Sequence, residues 1–250
     1  MDLYIGTFDM FNIDDLDRIK NAREKCEILT VGIYTDELSK IINKKEPIIK
    51  CEDRKRIVFS IKGVDNVISL DNINQLKEKK DILRSMLDRN NFAEYEEDNE
   101  KPFKIGFIQG TFDMFHTGHL NLINRAKLQC ERLIVGVNTD RLVKEYKNKV
   151  PIVRFEDRIK IVEAIKGVDE VVEMNDRNKI KAARELNFDA LIMGNDWQGT
   201  EFYNIMEEEL KRLGVQVVYL PYTQGISSTV LRRKIGKDAN GNNIEEGFEK

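Results

Sequence analysis

Cysteine is scarce in this 250-residue chain, and histidine scarcer still. Cys26, Cys51 and Cys130 are an odd number in no CxxC or Cys/His spacing, so neither a disulfide framework nor a structural zinc site is expected and the thiols read as buried. An excess of basic charge is missing too. Against 44 acidic side chains stand 41 basic ones, a net charge of −3, which excludes binding to nucleic acid or a membrane through a basic surface. No apolar run nears the roughly 20 residues that cross a bilayer. The opening MDLYIGTFDM has neither a basic nor an apolar leader region, and the expected location is the cytoplasm. Neither GxxxxGKS/T nor GxGxxG occurs, which weakens P-loop kinase and dinucleotide-enzyme readings.

What the chain does have is a repeat. GTFDMF at Gly6–Phe11 recurs at Gly110–Phe115, an offset of 104, and the same offset runs without a gap through VGIYTDEL/VGVNTDRL, CEDR/FEDR and IKGVDNV/IKGVDEV. Roughly half the positions from 6 to 70 match their partners. Two copies are too few for a solenoid, so the repeat reads as a duplicated domain. AEYEEDNEKP, polar, acidic and closed by Pro102, has linker composition. The expected division is therefore a degenerate domain at 1–92, a linker at 93–102, a full domain at 103–235 and a polar tail at 236–250. Residues 1–100 carry a net charge of −5 and the remainder +2, so the second copy is the better anion binder.

In the second copy, short apolar runs (KIGFIQ, RLIVGVN, DEVVEM, ALIMG, VQVVYL) alternate with amphipathic stretches near 118–128, 155–165, 177–186, 202–213 and from Ser227. This alternation predicts an α/β fold: a Rossmann-like, doubly wound parallel sheet, duplicated, with an incomplete first copy. Ligands of such sheets bind beyond the carboxyl ends of the strands. The first copy stops after one more helical stretch, 74–89.

Both histidines of the chain, His116 and His119, fall in GTFDMFHTGHL, directly after the first strand of the second copy. With Gly118 between them they can turn toward the head of the next helix, where free N–H groups already favour an anion. That is the chemistry of a phosphate site.

GTFDMFHTGH resembles the GTFD…HxGH signature of the cytidylyltransferase branch of the nucleotidyltransferase superfamily. GISSTVLRRKI, Gly225–Ile235, is similar to its second hallmark, GISTT. Met193–Gly199, MGNDWQG, with YLPYTQGISST resembles the glycerol-3-phosphate cytidylyltransferases most closely. The resemblance implies CMP transfer from CTP to a small phosphorylated alcohol, with glycerol 3-phosphate foremost, releasing pyrophosphate, and Mg²⁺ or another divalent cation as cofactor. It implies catalytic roles for His116, His119 and Lys149. Nucleotide binding would fall to Gly110, Thr111, Phe112, Lys147, Arg158, Gly194, Asp196, Gly225, Ile226, Ser227, Ser228 and Thr229. Asp113, Lys166, Trp197 and Tyr222 would meet the acceptor, with Asp196 a candidate hydrogen-bond or magnesium partner. No protein side chain is assigned as a metal ligand beyond that. The polar loop Lys144–Val150 contains Lys144, Lys147 and Lys149, and the resemblance implies that the latter two meet the phosphates.

Such a transfer needs no general base, because a phosphomonoester is mostly a dianion at neutral pH, its second pKa being about 6. Positioning and charge neutralisation suffice. Three positions depart from the family pattern: Tyr222 stands where an arginine precedes GISTT, Lys166 replaces another arginine, and Ser228 replaces threonine. The acceptor is therefore open between glycerol 3-phosphate, ethanolamine phosphate and a sugar or heptose phosphate, and a non-catalytic nucleotide-binding regulator is a further alternative. In the first copy Asn12, Asp14 and Asp15 stand where the second has His116, Gly118 and His119. That half is expected to be catalytically dead and to serve as a built-in dimer partner, an intramolecular pseudo-dimer, with further homodimerisation left open.

Overall fold

A computed structural model describes residues 2–72, 100–195, 198–199 and 201–236. The helix expected over 74–89, most of the 93–102 linker and the tail beyond Gly236 lie outside the described residues. In chain order the elements are β1 (Asp2–Gly6), α1 (Ile13–Arg23), β2 (Leu29–Tyr34), α2 (Asp36–Asn43), α3 (Cys51–Phe59), β3 (Asn66–Leu70) and β4 (Phe103–Gly110). They continue with α4 (Thr117–Lys127), β5 (Cys130–Asn138), α5 (Asp140–Lys147), α6 (Phe155–Glu163), β6 (Glu170–Met174) and α7 (Lys179–Leu186). The last are β7 (Ala190–Gly194), α8 (Glu201–Arg212), β8 (Gln216–Leu220) and α9 (Ser228–Ile235).

These residues form two compact units, 2–72 with 226–236, and 100–225. The first holds a parallel three-stranded sheet in the order β1-β2-β3. α9 belongs to this unit, with Leu231 buried and Lys234 Nζ donating to the Ile48 carbonyl at 3.3 Å. The second unit holds a parallel five-stranded sheet in the order β6-β5-β4-β7-β8. Helices cover both faces, so the central strands are apolar on both sides: Phe107 faces Phe188, Leu191 and Leu210 on one side, while Ile108 is buried on the other. The five strands read from the sequence are all present.

α5 was not among the expected helices; its residues read as a lysine loop. Thr139 caps it, its hydroxyl accepting from Leu142 N at 3.3 Å, and Leu142 and Val143 bury its inner face. Lys144 and Lys147 therefore stand on its last turn, and Asn148, in left-handed conformation at φ 50°, ends it before Lys149. Cys130 is buried, while Cys26 and Cys51 are only half-buried. Among the described residues no helix is long and apolar enough to cross a membrane.

Candidate active site

The second sheet runs outward from β4 in both directions, first through β5 and β6, then through β7 and β8, so its topological switch lies between β4 and β7. β4 pairs with β5 along its whole length, from Phe103 to Gly110, but with β7 only at Gly106 and Phe107. The carboxyl ends of β4 and β7 are thus free to part, the place where sheets of this class hold ligands. The β4–α4 connection, 111–116, emerges there.

That connection is wound tightly. Phe112 and Met114 both adopt left-handed backbone, φ 55° and 48°, a conformation costing about 1–3 kcal/mol in a residue with a side chain. Phe112 folds back over Gly110, where a Cβ would meet its ring at 2.9 Å, so only glycine fits. Two side chains hold the winding from beneath. Asp113 accepts from Ile152 N at 3.1 Å and Val153 N at 2.9 Å, one with each carboxylate oxygen. Arg158 is fully buried: its guanidinium donates to the carbonyl of Thr111, to the Val153 carbonyl at 2.9 Å and to Asp140 Oδ1 at 2.6 Å.

These contacts bear on two sequence expectations. The donors of Arg158 serve the loop that carries the histidines, a structural role beside the nucleotide contact expected of it. Asp113 is engaged in the same way and fixes the loop. Lys166, expected to meet the acceptor, precedes β6 and so lies at the amino end of the sheet, where the adjacent Gly167 approaches Ile123, Asn124 and Lys127 in the last half of α4. The histidines stand at the opposite end of that helix.

His116 is the N-cap of α4. Its Nδ1 accepts from Gly118 N at 3.1 Å, and its carbonyl accepts from His119 N at 2.9 Å. The free N–H groups expected at the helix head are therefore partly used by His116 itself, and the imidazoles become the donors presented to a ligand. With Nδ1 accepting, the neutral ring carries its proton on Nε2. Burial pushes the His116 pKa down to about 4. His119 stacks on His116, centroids 3.8 Å apart and planes at 20°, and contacts Phe112 and Phe115 at 5.3 and 5.6 Å. Burial, and then the neighbouring His116 and Lys147, hold its pKa well below the ordinary histidine value. Its buried Nδ1 has no hydrogen-bond partner, which leaves an uncompensated polar atom, costing about 1–3 kcal/mol, next to the parting strands.

Lys147 is exposed and donates to Thr111 Oγ1 at 3.4 Å. The structure thus gathers Gly110, Thr111, Phe112, His116, His119 and Lys147 on β4, α4 and α5, with Gly194 at the carboxyl end of β7. Lys149 is exposed beyond the end of α5. The loop after β8 is pinned along α4, where Arg125 donates to the Pro221 carbonyl at 2.8 Å and Asn121 to Thr223 Oγ1 at 3.2 Å, and between them Tyr222 is about half exposed. Gly225, at φ 85°, closes this unit. Ile226, Ser227, Ser228 and Thr229 belong to the first unit, where the Ser227 hydroxyl caps α9 by accepting from Val230 N at 3.2 Å. Asp196 and Trp197 lie outside the described residues.

Sequence reasoning missed a hydrogen-bonded row across the ends of β4 and β5. Lys179 donates to Gln109 Oε1; Gln109 Nε2 donates to Asn138 Oδ1 at 2.7 Å; Asn138 Nδ2 donates to the Tyr146 hydroxyl at 3.2 Å, which meets Thr111 Oγ1 at 3.2 Å. Two cations approach the Tyr146 ring, Arg177 at 4.5 Å and Lys147 at 5.3 Å from its centroid.

Residues 3–96 and 107–234 match the cytidylyltransferase-like family model. Glycerol-3-phosphate cytidylyltransferase of Bacillus subtilis (strain 168) is 37% identical over 127 residues, 50% of this chain and 92% of that protein. Bifunctional protein HldE of Hyphomonas neptunium is 34% identical over 137 residues, 54% of this chain but 28% of that larger protein. Among solved structures, the lipopolysaccharide core biosynthesis protein from Thermoplasma volcanium GSS1 superposes with a TM-score of 0.42 at 22% identity, over 50% of this chain and 99% of that one.

Proposed function

The chain belongs to the cytidylyltransferase-like family, and from that premise we propose that it transfers CMP from CTP to a small phosphorylated alcohol, glycerol 3-phosphate foremost. An oxygen of the acceptor phosphate bonds to the α-phosphorus as the bond to pyrophosphate breaks, and the leaving group departs with its electron pair. The observation that carries this reading is the stacked, neutral pair His116 and His119 beside Lys147 at the sheet's switch point. Neutral imidazole donors stabilise charge gathering on the α-phosphate without themselves needing to be discharged, and Lys147 adds a fixed cation. A preorganised donor of this kind is worth about 10²-fold in rate.

Among the described residues no group of three or more His, Cys, Asp or Glu is placed to hold a metal, and both carboxylate oxygens of Asp113 accept from backbone N–H groups. A divalent cation would then enter this site as a companion of the triphosphate, with phosphate oxygens and water as ligands and Asp196 as the candidate protein partner, and would neutralise phosphate charge when bound. The described residues of the site would orient the triphosphate.

The test is pyrophosphate release by purified protein with each NTP against a panel of phosphorylated alcohols. CTP with glycerol 3-phosphate should give the highest kcat/KM. Strong preference for ATP would move the reading to a sugar-phosphate nucleotidyltransferase, turnover with phosphoethanolamine alone to that acceptor, and nucleotide binding without turnover to a regulator.

The same reading makes the first copy a non-catalytic companion. Two carboxylates, Asp14 and Asp15, occupy the helix head that carries histidine in the second copy, and they repel a triphosphate. The location of α9 in the first unit supports a dependence of the family's second hallmark on that copy. A fragment of residues 101–250 should be poorly soluble, self-associating or inactive. If it is soluble, monomeric and fully active, the pseudo-dimer idea is wrong.

A further inference from the structure

The hydrogen-bonded row across β4 and β5 has a direction, and its far end sets it. Gln109 Nε2 donates to the Asp176 carbonyl at 3.0 Å, which can only accept, and to Asn138 Oδ1 at 2.7 Å. Its other amide atom, Oε1, receives the Lys179 amine. Burial pushes the Lys179 pKa down to about 7, but charged or neutral, an amine that faces a carbonyl oxygen donates to it. With Oδ1 of Asn138 taken, Nδ2 is the atom turned to the Tyr146 hydroxyl, and it donates there at 3.2 Å. The phenol accepts from Asn138 and directs its own proton to Thr111 Oγ1, 3.2 Å away.

Thr111 ends this chain of donors with both acceptor positions used, because Lys147 also donates to its Oγ1 at 3.4 Å. Its hydroxyl proton therefore points elsewhere, and among the described residues no acceptor takes it. That makes the hydroxyl a donor of set direction at the carboxyl end of β4, beside a lysine whose charge is felt at His119. A donor fixed in advance needs no reorientation when an anion arrives. The fold does not require the row. The first copy winds the same loop, with Phe8 and Met10 in left-handed backbone, while Ile5, Tyr34 and Ile42 stand at the positions of Gln109, Asn138 and Tyr146. There Asn43 donates to Thr7 Oγ1 at 2.9 Å, and an isoleucine replaces the phenol. The row belongs to the copy that carries the histidines.

We propose that Tyr146 is a positioning residue for the nucleotide: its hydroxyl, set by Gln109 and Asn138, aims the Thr111 hydroxyl proton at a phosphate oxygen of the triphosphate. This rests on the transferase reading above and deepens it, tracing the direction of one phosphate donor to side chains that do not touch the substrate. The Tyr146 ring also lies against Lys147, 5.3 Å from its Nζ to the centroid, so one side chain locates both the hydroxyl and the cation.

The test uses the full chain and reads binding apart from turnover. Tyr146→Phe removes the hydroxyl alone and keeps the ring beside Lys147. Calorimetric titration should show CTP and inorganic pyrophosphate both bound about fivefold more weakly, the worth of one neutral hydrogen bond, with kcat changed less. Thr111→Val should lose at least as much, and adding Tyr146→Phe to it should weaken binding no further, because Tyr146 acts through that hydroxyl. Thr111→Ser keeps the hydroxyl and should keep the sensitivity to Tyr146→Phe. Asn138→Leu leaves the phenol in place but frees its proton to turn, and should weaken both ligands in the same direction. Unchanged affinities in Tyr146→Phe or in a folded Asn138→Leu, a loss confined to CTP, or losses that add in the double variant would overturn the proposal, as would a wild type that binds neither ligand. A wild type that binds both with this dependence on Tyr146, yet releases no pyrophosphate with any phosphorylated alcohol, would remove the transferase reading and leave the positioning role standing.

Discussion

The two copies share a scaffold and part at the chemistry. Arg54 repeats the three hydrogen bonds given above for Arg158, donating to the Thr7 carbonyl at 2.5 Å, the Ile49 carbonyl at 2.9 Å and Asp36 Oδ1 at 2.8 Å. Asp9 accepts from Ile48 N and Ile49 N at 2.8 and 2.9 Å, as Asp113 does from Ile152 and Val153. Phe8 and Met10 take the same left-handed backbone, φ 55° and 52°, as Phe112 and Met114. Above this shared base the copies diverge. Asn12 caps α1 as His116 caps α4, but Asp15 closes a capping box where His119 stacks on its fellow histidine. Asn43 donates to Thr7 Oγ1 at 2.9 Å where Lys147 donates to Thr111 Oγ1 at 3.4 Å. The aspartate of GTFDMF and the arginine of EDR therefore do the same structural work in both copies, and what they hold in place can change from a carboxylate-capped helix to one headed by histidines.

The sharpest way to break this comparison is to give the second copy the first copy's cap. His116→Asn with His119→Asp keeps N-cap chemistry at α4 and removes both imidazoles. Pyrophosphate release should fall by about 10²-fold or more while thermal unfolding shows the fold retained. His116→Ala and His119→Ala should each lose a comparable factor with a weaker helix. Wild-type rates in the double variant would show that the histidines are a capping device only.

The arginine pair tests the shared half. Removing either guanidinium takes a donor from two backbone carbonyls and from a partly exposed carboxylate that keeps one backbone N–H, and each buried acceptor left unsatisfied costs about 1–3 kcal/mol. Arg54→Met and Arg158→Met should each lower the urea midpoint strongly and by similar amounts. If Arg158→Met instead raised KM for CTP with stability unchanged, the buried geometry would be the wrong guide and the sequence expectation the right one.

Much of this was legible before the structure. Five strands and most of the helices of the second unit followed from apolar runs and periodicity, and the histidine site from its place after β4. What escaped had local physical causes. α5 is only eight residues long and ends in lysines, so its short apolar face was outweighed by charge. The structural role of Arg158 escaped because sequence does not say which way a guanidinium points. The repeat held the missing signal: EDR is present in a copy that has no histidine, so its arginine serves both copies alike. The same subtraction isolates Gln109, Asn138 and Tyr146, whose counterparts are Ile5, Tyr34 and Ile42, and these build the polar row that motif matching passed over.

A smaller substitution sharpens the comparison at α5. Lys147→Asn installs the first copy's residue, which is able to keep the contact to Thr111 but lacks the charge. KM for CTP should rise about tenfold, equivalent to about 1.4 kcal/mol, with kcat changed less. An unchanged KM would remove Lys147 from the nucleotide site and leave Lys149 to carry that role alone.

The least of the expected effects distinguishes the two helix heads by sign. Burial holds His116 at about 4 and His119 well below the ordinary histidine value of 6.5. As pH falls from 6.5 toward 4, the unfolded chain therefore takes up protons at these two positions that the folded chain refuses, and stability declines over that window. At the equivalent position of the first copy, burial raises the Asp15 pKa above its ordinary 3.8, partly offset by the Asn12 backbone hydrogen bond and the Arg18 charge. The folded chain protonates Asp15 before the unfolded one does, so its linkage runs the other way and favours the fold as pH falls through the raised value. His116→Asn with His119→Asp should then flatten the decline of the melting temperature between pH 6.5 and 4, by several degrees at the acid end if about 1 kcal/mol corresponds to 2–4 °C for a chain of this size. Calorimetric melts of both proteins across that range decide it, and a parallel decline in the two would mean that the buried imidazoles contribute nothing to acid sensitivity.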